Sequence, residues 1–451
     1  MQFAGQRTDL NLKPIGKPDN FLIKLSEDIL PDPEAVLIHG ITPQKTLAEG
    51  TTEAEAMKYL TNQVFIPDTI AVGFNNIRFD DEFIRFLFWR NFTDAYEWHY
   101  KDARSRWDLL DLTRMTRALR PEGINWPFAP DGVPSNKLEL LTAVNKLDHV
   151  DAHDALSDVK AAISIARLIH NKQTKLFDYL LKIRDKTKVA VLVGKKEPFI
   201  YTSGRYPGEF EKTTIAVQVT TQPSRDASLV YDLRVNPDEF TKLTPAELAS
   251  LWQLRGPEAP YFPVKKLSHN RCPAVAPLST LDDKSVARLQ LNLTEVDKNL
   301  RKLAKAWDFG DKLIAALEIV EPPSQPQLIV DEQTVEAQLY DGFIKGPDKT
   351  KIAVVRAAKP DELSRLTLDF TDERLKLLLP LYKARNFPIS LTKEEKRWWQ
   401  NFKHRRLIER GTLDQHLARI EELSDSQGIS AENKALLAEL KSYTQSLTSK
   451  I

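Results

Sequence analysis

The chain has 451 residues, a formal net charge of +1 and 42% hydrophobic residues, and Cys272 is its single cysteine. This length exceeds one ordinary hydrophobic core, so we expect several domains of about 100–200 residues each. The sequence has no apolar run of about 18 residues, which argues against a membrane span or a secretory signal, and one cysteine argues against a disulfide framework, so we expect a cytoplasmic protein.

The first part of the sequence alternates strand-like and helix-like segments. Two β-rich segments flank a Pro/Gly turn at residues 14–18, and residues 52–66 have helical periodicity. The segment "TIAVGFNN" predicts a buried strand, and "DDEFIRFLFWRNF" repeats apolar residues at helical spacing. A longer helix is predicted from Asp154, a favoured N-cap residue, to residue 172. Its apolar stripe comprises Leu156, Val159, Ile163, Ala166 and Ile169. Residues 1–172 therefore predict an α/β domain.

The rest of the chain divides into a β-rich part and a helical part. The segments "KVAVLVGKKEPFIYTSG", "TTIAVQVTT" and "ASLVYDLR" predict short strands, and "TPAELASLWQL" and "SVARLQLN" predict attached helices. This pattern favours a small β-barrel-like domain at residues 173–323. The proline-rich segment "EPPSQPQ", residues 321–327, is a candidate linker. Beyond it, residues 324–451 have helical periodicity and predict an all-α domain.

His153 and Asp158 are the first candidates for chemistry. In "AHDALSDV" the histidine precedes the cap of the predicted helix, so both side chains can point toward one cleft. A histidine and an aspartate at a helix start are also common as capping or dipole-compensating residues. The pair alone therefore leaves a catalytic and a structural interpretation open.

A second candidate is the acidic run Asp80, Asp81 and Glu82, which follows a predicted strand. Proteins of the α/β class place their sites at such strand ends, and Mg²⁺ prefers oxygen ligands. The helix dipole alone also favours acids at this position, so at least some of them are expected to be solvated. The sequence has no P-loop, G-x-S-x-G or H-E-x-x-H motif that would indicate another chemistry.

Several segments, in this order and at these separations, resemble the exonuclease I family of bacterial 3′→5′ single-strand exodeoxyribonucleases. They are "GFNNIRFDDEF", "SRWDLLDL", "RALRPEGINWP" and "AHDALSDV". "AVLIHGITP", "VEAQLYDGF" and "YKARNFP" extend the resemblance over essentially the whole chain. The family belongs to the DEDD superfamily, in the subtype that ends in a histidine and an aspartate. The resemblance implies an α/β RNase H-like exonuclease domain, an SH3-like β-barrel-type domain and an all-α C-terminal domain.

The resemblance also implies a reaction. It predicts hydrolysis of single-stranded DNA to 5′-mononucleotides with two Mg²⁺ ions about 3.5–4 Å apart. Asp80 and Asp158 would be catalytic carboxylates and metal ligands, and His153 would be the general base. Imidazole suits that role because its pKa of about 6.5 lies close to the working pH.

The family's D-x-E motif should precede the first hairpin, but here the hairpin begins at once with "MQFAGQRTDL". The "DPE" segment at residues 32–34 has the right spacing, but its proline, its predicted loop position and its place after the hairpin argue against a ladder strand. Without those acids the metal site has fewer ligands. We expect a start site placed too far downstream or a truncated chain. The alternative is a catalytically impaired homologue that binds single-stranded DNA.

Because the net charge is close to zero, any DNA surface must be local. Basic side chains bind phosphates and aromatic rings stack bases in such surfaces, although basic runs are solvated faces by default. Lys137 stands where the family has an arginine, so a bidentate phosphate contact is in doubt there. By resemblance the DNA contacts are Arg85, Tyr96, Tyr100, Arg114, Lys137, Lys186, Lys265 and Asn270.

The resemblance implies one protein partner, the C-terminal tail of single-stranded-DNA-binding protein, bound at Arg120 and Tyr179. Leu293 is apolar where the family's groove is basic, which weakens this prediction. The segment "KRWWQNFKHRR", residues 396–406, predicts either a helix that closes the DNA channel or one that buries a tryptophan. We expect a monomer. A His-Asp phosphohydrolase would need further metal-binding histidines, which the sequence does not arrange.

Overall fold

The computed structural model describes residues 1–147, 154–222, 226–256, 259–322 and 330–448. Within these ranges the chain has the expected order of an α/β part, a β-rich part and a helical part. No helix in the described ranges combines the length and the apolar character needed to cross a membrane.

The first part contains two small sheets surrounded by helices. Its strands are β1 (Gln2–Gly5), β2 (Asp19–Leu22), β3 (Ile70–Gly73) and β4 (Ser105–Asp108). Its helices are α1 (Pro33–His39), α2 (Pro43–Glu49), α3 (Glu53–Tyr59), α4 (Asp80–Arg90), α5 (Leu109–Leu119), α6 (Leu138–Val144) and α7 (Ala155–Lys172). β1 pairs antiparallel with β2, and β3 pairs parallel with β4, with Gly73 opposite Asp108. The carboxyl ends of β3 and β4 therefore meet at one edge.

Two predictions about this part need correction. β3 is not buried, because its residues are half-buried or exposed, and within the described ranges it pairs with β4 alone. α7 does start after Asp154, whose carboxylate accepts hydrogen bonds from the backbone N–H groups of Leu156 and Ser157. Its buried face, however, is turned relative to the predicted stripe, of which only Ala166 and Ile169 are buried. The residues that pack in the core are Ala161, Ala162, Ile165, Ala166 and Ile169.

The middle part is an antiparallel sheet covered by helices. Its strands are β5 (Phe199–Thr202), β6 (Thr213–Gln222), β7 (Ala227–Asp232), β8 (Val264–Ser268) and β9 (Ala274–Pro277), in the order β8-β7-β6-β5-β9. Two helices precede the sheet, α8 (Thr174–Ile183) and α9 (Lys186–Gly194). The others are α10 (Pro245–Gln253), α11 (Asp283–Arg288), α12 (Leu293–Lys305) and α13 (Phe309–Val320).

The predicted strand at "KVAVLVG" is wrong, because these residues belong to α9. Asp185 caps the helix by accepting hydrogen bonds from the N–H groups of Thr187 and Lys188. Val189 and Val193 lie one helical turn apart and are both fully buried in the core. Packing of this face outweighs the preference of β-branched residues for strands.

The last part is helical, as predicted. Its helices are α14 (Gly346–Ala357), α15 (Pro360–Leu363), α16 (Glu373–Asn386), α17 (Lys393–His404), α18 (Thr412–Ser424) and α19 (Ala431–Thr448). A short 3₁₀ segment, Val335–Tyr340, precedes them. Most of the predicted linker lies outside the described residues.

The parts share hydrophobic cores, which fixes their arrangement around the site. Helices α5, α7, α8 and α9 pack in one core with the middle sheet. Trp89 and Phe92, at the end of α4, pack with Phe370 and Tyr382 of the helical part. Trp399 of α17 is also in this core, so at least one tryptophan of the predicted channel helix is structural.

Candidate active site

The turn between β3 and α4 places the first candidate carboxylate. Asn75 adopts a left-handed conformation with φ of 67°, which asparagine tolerates better than most residues. Its backbone N–H donates a hydrogen bond of 2.8 Å to Asp108 Oδ1 at the end of β4. The chain then enters α4 at Asp80.

The structure brings Asp80 and Asp158 together. Asp158 lies in the first turn of α7. Asp80 is accessible to solvent, yet desolvation raises the pKa of its carboxyl to about 6, and the nearby charges of Asp81 and Asp158 raise it further. A carboxylate that lies beside the negative charge of a second carboxylate forms a site that favours a cation.

The neighbouring acids Asp81 and Glu82 have partners of their own. Asp81 is buried, forms an ion pair with Arg106 of β4 and accepts a hydrogen bond of 3.2 Å from Asn76 Nδ2. Glu82 forms an ion pair with Arg85 at 2.7 Å and accepts a hydrogen bond from the hydroxyl of Tyr340. These two acids therefore fix the helix start, and Asp80 is left to face the solvent.

A further acidic pair, Asp108 and Asp111, was not singled out from the sequence. Burial and the charge of Asp111 raise the pKa of Asp108 to about 6. Asp108 caps α5 through the N–H of Leu110, and Arg78 forms an ion pair with Asp111 at 3.0 Å. The sequence signal for this acidic pair is the "SRWDLLDL" segment, in which Asp108 ends a strand.

Basic side chains from separate parts of the chain line a cleft beside α4. The lining residues are Ile77, Arg78, Glu82, Arg85, Arg271 and Tyr340. Burial and the neighbouring guanidinium groups of Arg85, Arg106 and Arg205 lower the pKa of Arg271, although Glu82 opposes this. No local sequence pattern joins these positions, because they come from all three parts of the fold.

Several predicted DNA contacts lie next to this cleft. The guanidinium of Arg85 lies 5.5 Å from the ring centre of Tyr96, which is half-buried, whereas Tyr100 is exposed. Asn270 is exposed, and its carbonyl accepts a hydrogen bond of 2.9 Å from Arg106 Nη2. His99 is close to Arg85, and burial together with these cations lowers its pKa to about 3, so its ring is neutral.

The other predicted DNA contacts are more dispersed. Arg114 pairs with Asp111 at 2.7 Å and packs so closely on Gly204 that a Cβ there would lie 2.9 Å from Arg114 Nη2. Lys137 is exposed at the start of α6, and Lys186 is exposed and pairs with Asp226 at 2.7 Å. Lys265 lies 4.8 Å from the ring centre of Tyr261, and burial lowers its pKa to about 8.

The predicted partner-binding residues are both half-buried. Arg120 pairs with Asp282 at 3.3 Å and donates a hydrogen bond of 2.7 Å to the carbonyl of Thr280. The hydroxyl of Tyr179 has no hydrogen-bond partner among the described residues, and burial raises its pKa to about 12. Leu293 is exposed at the start of α12.

The remaining predicted features bear on metal binding. His153 lies outside the described residues. Of the "DPE" segment that was expected in a loop, Asp32 precedes α1 as its N-cap, whereas Glu34 lies in the first turn of α1 and pairs with Arg419. Burial raises the pKa of Cys272 to about 12, so it is a thiol rather than a metal-binding thiolate. In the described part of the chain no cluster of three metal-binding side chains forms, and Asp80 with Asp158 is the pair that fits a hard cation.

Family patterns match most of the chain. The exonuclease pattern matches residues 1–166, the exonuclease I SH3-like domain residues 184–318, and the exonuclease I C-terminal domain residues 333–447. The chain is also 36% identical over 450 residues to exodeoxyribonuclease I of Haemophilus influenzae, a match that covers 98% of this chain and 93% of the relative. The chain belongs to the exonuclease I family. Family membership confirms the predicted fold class and the prediction of a nuclease.

Solved structures of exonuclease I proteins superpose on nearly all of this chain. The enzyme of Methylocaldum szegediense is 38% identical with a TM-score of 0.91, and that of Escherichia coli, in complex with a dA16 oligonucleotide, is 35% identical with a TM-score of 0.93. Each match covers 99% of this chain and 95% of the other. One further solved structure is of SSB and exonuclease I in complex with the inhibitor CFAM. Another is the zinc-bound form of the Escherichia coli exonuclease I complex with single-stranded DNA. The match to the exonuclease domain therefore implies the use of a divalent metal ion.

Proposed function

We propose that this chain degrades single-stranded DNA from the 3′ end to 5′-mononucleotides, as a Mg²⁺-dependent member of the exonuclease I family. The observation that carries the proposal is the approach of Asp80 and Asp158 beside an arginine-lined cleft. The carboxylates would hold the cation, and the arginines would bind the phosphates of the strand.

Asp80 and Asp158 are the residues of this chain that would hold the metal. Mg²⁺, when bound, stabilises negative charge on the scissile phosphate and lowers the pKa of a water that attacks it. Asp81 and Glu82 hold the start of α4 in place through Arg106 and Arg85, so the carboxylate of Asp80 stays oriented. His153, which directly precedes the cap of α7, would accept the proton of the attacking water.

The strand would be held by basic and aromatic side chains on both sides of the cleft. Arg85 and Tyr96 form a stacked pair at its edge, and Tyr100 presents an exposed ring for base stacking. Arg114, Lys137, Lys186, Lys265 and Asn270 would extend the contact surface. The solved complex of the Escherichia coli relative with dA16 supports this proposal.

A protein partner is part of the proposal. The C-terminal tail of single-stranded-DNA-binding protein would bind at Arg120 and Tyr179, and the solved structure of SSB with exonuclease I supports this choice. An acidic tail at Arg120 must compete with Asp282, which already pairs with it. We further propose that the protein acts as a cytoplasmic monomer in DNA repair and recombination.

The experiment uses a 5′-labelled oligonucleotide, incubated with this chain in Mg²⁺ or in EDTA. The proposal predicts a ladder of labelled fragments that shortens with time and requires Mg²⁺. An oligonucleotide whose 3′ end is paired in a duplex is the matched control and should resist. Binding of the single strand in both conditions without shortening would contradict the proposal and favour the catalytically impaired homologue.

A further inference from the structure

A buried hydrogen-bond network in the middle part joins strands β6 and β7 to the turn that leads to Arg271. Gln218 of β6 donates a hydrogen bond of 2.8 Å from Nε2 to Ser228 Oγ of β7, and Ser228 Oγ lies 2.9 Å from His269 Nε2. Ser228 is fully buried, and Gln218 and His269 are 7% and 9% exposed. Buried polar groups that satisfy one another fix the local structure around them.

The network determines which nitrogen of His269 carries the proton. A serine hydroxyl has one proton to donate. Ser228 already accepts a proton from Gln218, and the described residues offer its own proton no acceptor other than His269 Nε2. Nε2 is therefore the acceptor, and the imidazole is neutral. A protonated imidazole would set its N–H against the O–H of Ser228 and leave a buried donor unpaired, which costs free energy.

His269 begins a short 3₁₀ turn, His269–Arg271, whose other two residues belong to the DNA surface proposed above. Asn270 is exposed, and its carbonyl accepts the hydrogen bond from Arg106. Arg271 lines the cleft beside α4. The imidazole therefore anchors this turn from inside the domain, while the next two residues are available to the strand.

Two charged groups of the described chain face His269, Asp226 ahead of β7 and Lys186 of α9. Burial lowers the pKa of His269, Asp226 opposes this shift and Lys186 adds to it. The two charges also pair with each other at 2.7 Å, and the backbone N–H of His269 donates a hydrogen bond of 2.7 Å to the carbonyl of Asp226. The imidazole is therefore neutral at pH 7 and gains a proton only in acid solution.

We propose that neutral His269 is a positioning residue that holds Asn270 and Arg271 on the DNA-binding face, and that its protonation loosens this turn and weakens binding of single-stranded DNA. The inference rests on the proposed function and deepens it, because it names how the DNA surface responds to acid. Charge alone would have the opposite effect, since an additional cation near phosphates strengthens binding. The direction of the pH effect therefore separates positioning from simple electrostatics.

The test measures affinity for a single-stranded oligonucleotide in EDTA between pH 7 and pH 5. His269→Gln keeps an uncharged group that can accept from Ser228 but cannot gain a proton in this range, and Ser228→Ala removes the donor. His170→Gln is the matched control, because His170 lies in the last turn of α7 and pairs with Asp178 of α8. Affinities are compared between proteins at each pH, so that groups that titrate in all of them cancel.

As the pH falls from 7 to 5, the wild type should lose about 2- to 12-fold in affinity relative to His269→Gln, which is the range for one hydrogen bond. Ser228→Ala should bind more weakly than the wild type at pH 7 and lack this acid-dependent loss. In Mg²⁺ its KM for DNA should rise while kcat stays unchanged. The control His170→Gln should follow the wild type at each pH.

A wild-type affinity that follows His269→Gln at each pH, or rises relative to it in acid, would overturn the inference. Nitrogen NMR of histidine-labelled wild type gives a second readout, with the His269 signals identified by their shift in Ser228→Ala. At pH 7 the proton should be on Nδ1, and a proton on Nε2 would also overturn the inference. Failure of the wild type to bind the oligonucleotide at pH 7 would instead contradict the proposed function.

Discussion

Arg106 and Asp81 form an ion pair that is almost completely buried, with side chains 5% and 2% exposed. Asp81 follows Asp80 directly, and the second guanidinium nitrogen of Arg106 donates to the carbonyl of Asn270 in the middle part. One arginine therefore fixes the first turn of α4 and ties it to the next domain. The orientation of the candidate metal ligand depends on a contact between domains.

Replacing Arg106 should destabilise the protein strongly. Arg106→Met leaves Asp81 buried without its partner, which costs about 3–5 kcal/mol in comparable buried pairs. Adding Asp81→Asn removes the uncompensated charge, so the double variant should recover part of the loss. Guanidinium denaturation of the single and double variants measures both effects. A loss below about 1 kcal/mol for Arg106→Met, the range of exposed pairs, would contradict this role.

A second buried cluster should make stability depend on pH. Asp28 pairs with Arg385 of α16, which also pairs with Glu336. Burial raises the pKa of both acids, but the charge and hydrogen bonds of Arg385 outweigh it, so each pKa lies below its usual value. Such groups stabilise the fold fully above their unfolded pKa values of about 3.9–4.3 and lose this contribution as the pH falls through the folded values.

The test of this cluster is Arg385→Met, with denaturation midpoints measured between pH 7 and pH 3.5. Without Arg385 the buried acids prefer their protonated form, so the stability gap between wild type and variant should narrow as the pH falls. Lys441→Met removes an exposed pair with Glu421 and is the control, which should change stability by less than about 1 kcal/mol at each pH. A difference in stability between wild type and variant that is constant with pH would show that the pKa values of Asp28 and Glu336 do not depend on Arg385.

Lys265 should make DNA affinity fall in alkaline solution. Its pKa is lowered to about 8, first by burial and further by Arg205 and Arg255, so it loses its charge as the pH rises through this value. If Lys265 binds a phosphate, affinity for single-stranded DNA should weaken between pH 7 and pH 9, and the salt slope should decrease by about 0.7. The Lys265→Arg variant stays charged between pH 7 and pH 9. It should therefore lack the part of the affinity loss that is due to deprotonation of residue 265. Identical pH profiles for the two proteins would remove Lys265 from the interface.

The order of the elements was predictable from the sequence where a local pattern decided it. Asp154 and the apolar residues that follow were enough to predict α7, because capping and helical spacing act within one segment. The helix at Val189 and Val193 was missed because its valines favour strands, and only the packing of the folded domain reverses that preference.

The candidate site shows more clearly that local sequence patterns cannot predict what depends on tertiary packing. Asp80 was predicted from its place after a strand, and its link to Asp158 came from the family resemblance. The cleft beside it joins Arg85, Arg271 and Tyr340, which are far apart in sequence. No spacing rule predicts such a meeting, because it depends on how the domains pack.

The role of His153 as general base leads to a separate prediction. His153→Ala should lower the single-turnover rate of DNA cleavage about 10²- to 10⁴-fold, since this is the range for loss of a general base. Binding of the oligonucleotide in EDTA should not change. The neighbouring His149→Ala variant is a matched control for removing an imidazole nearby. An unchanged cleavage rate in His153→Ala would remove the residue from the mechanism.

The central claim is that Asp80 and Asp158 together hold the metal that this chain needs to cut DNA. Asp80→Asn and Asp158→Asn each keep the size of the side chain but remove its charge, and Asp425→Asn is the control because Asp425 is exposed at the end of α18. The deciding measurement is the Mg²⁺-dependent rate of nucleotide release from the 3′ end of a 5′-labelled single strand, with oligonucleotide affinity measured in parallel. We predict that each site variant loses at least about 10²-fold in rate and still binds DNA, and that the control matches the wild type. A rate of nucleotide release equal to that of the wild type in both site variants would contradict the account.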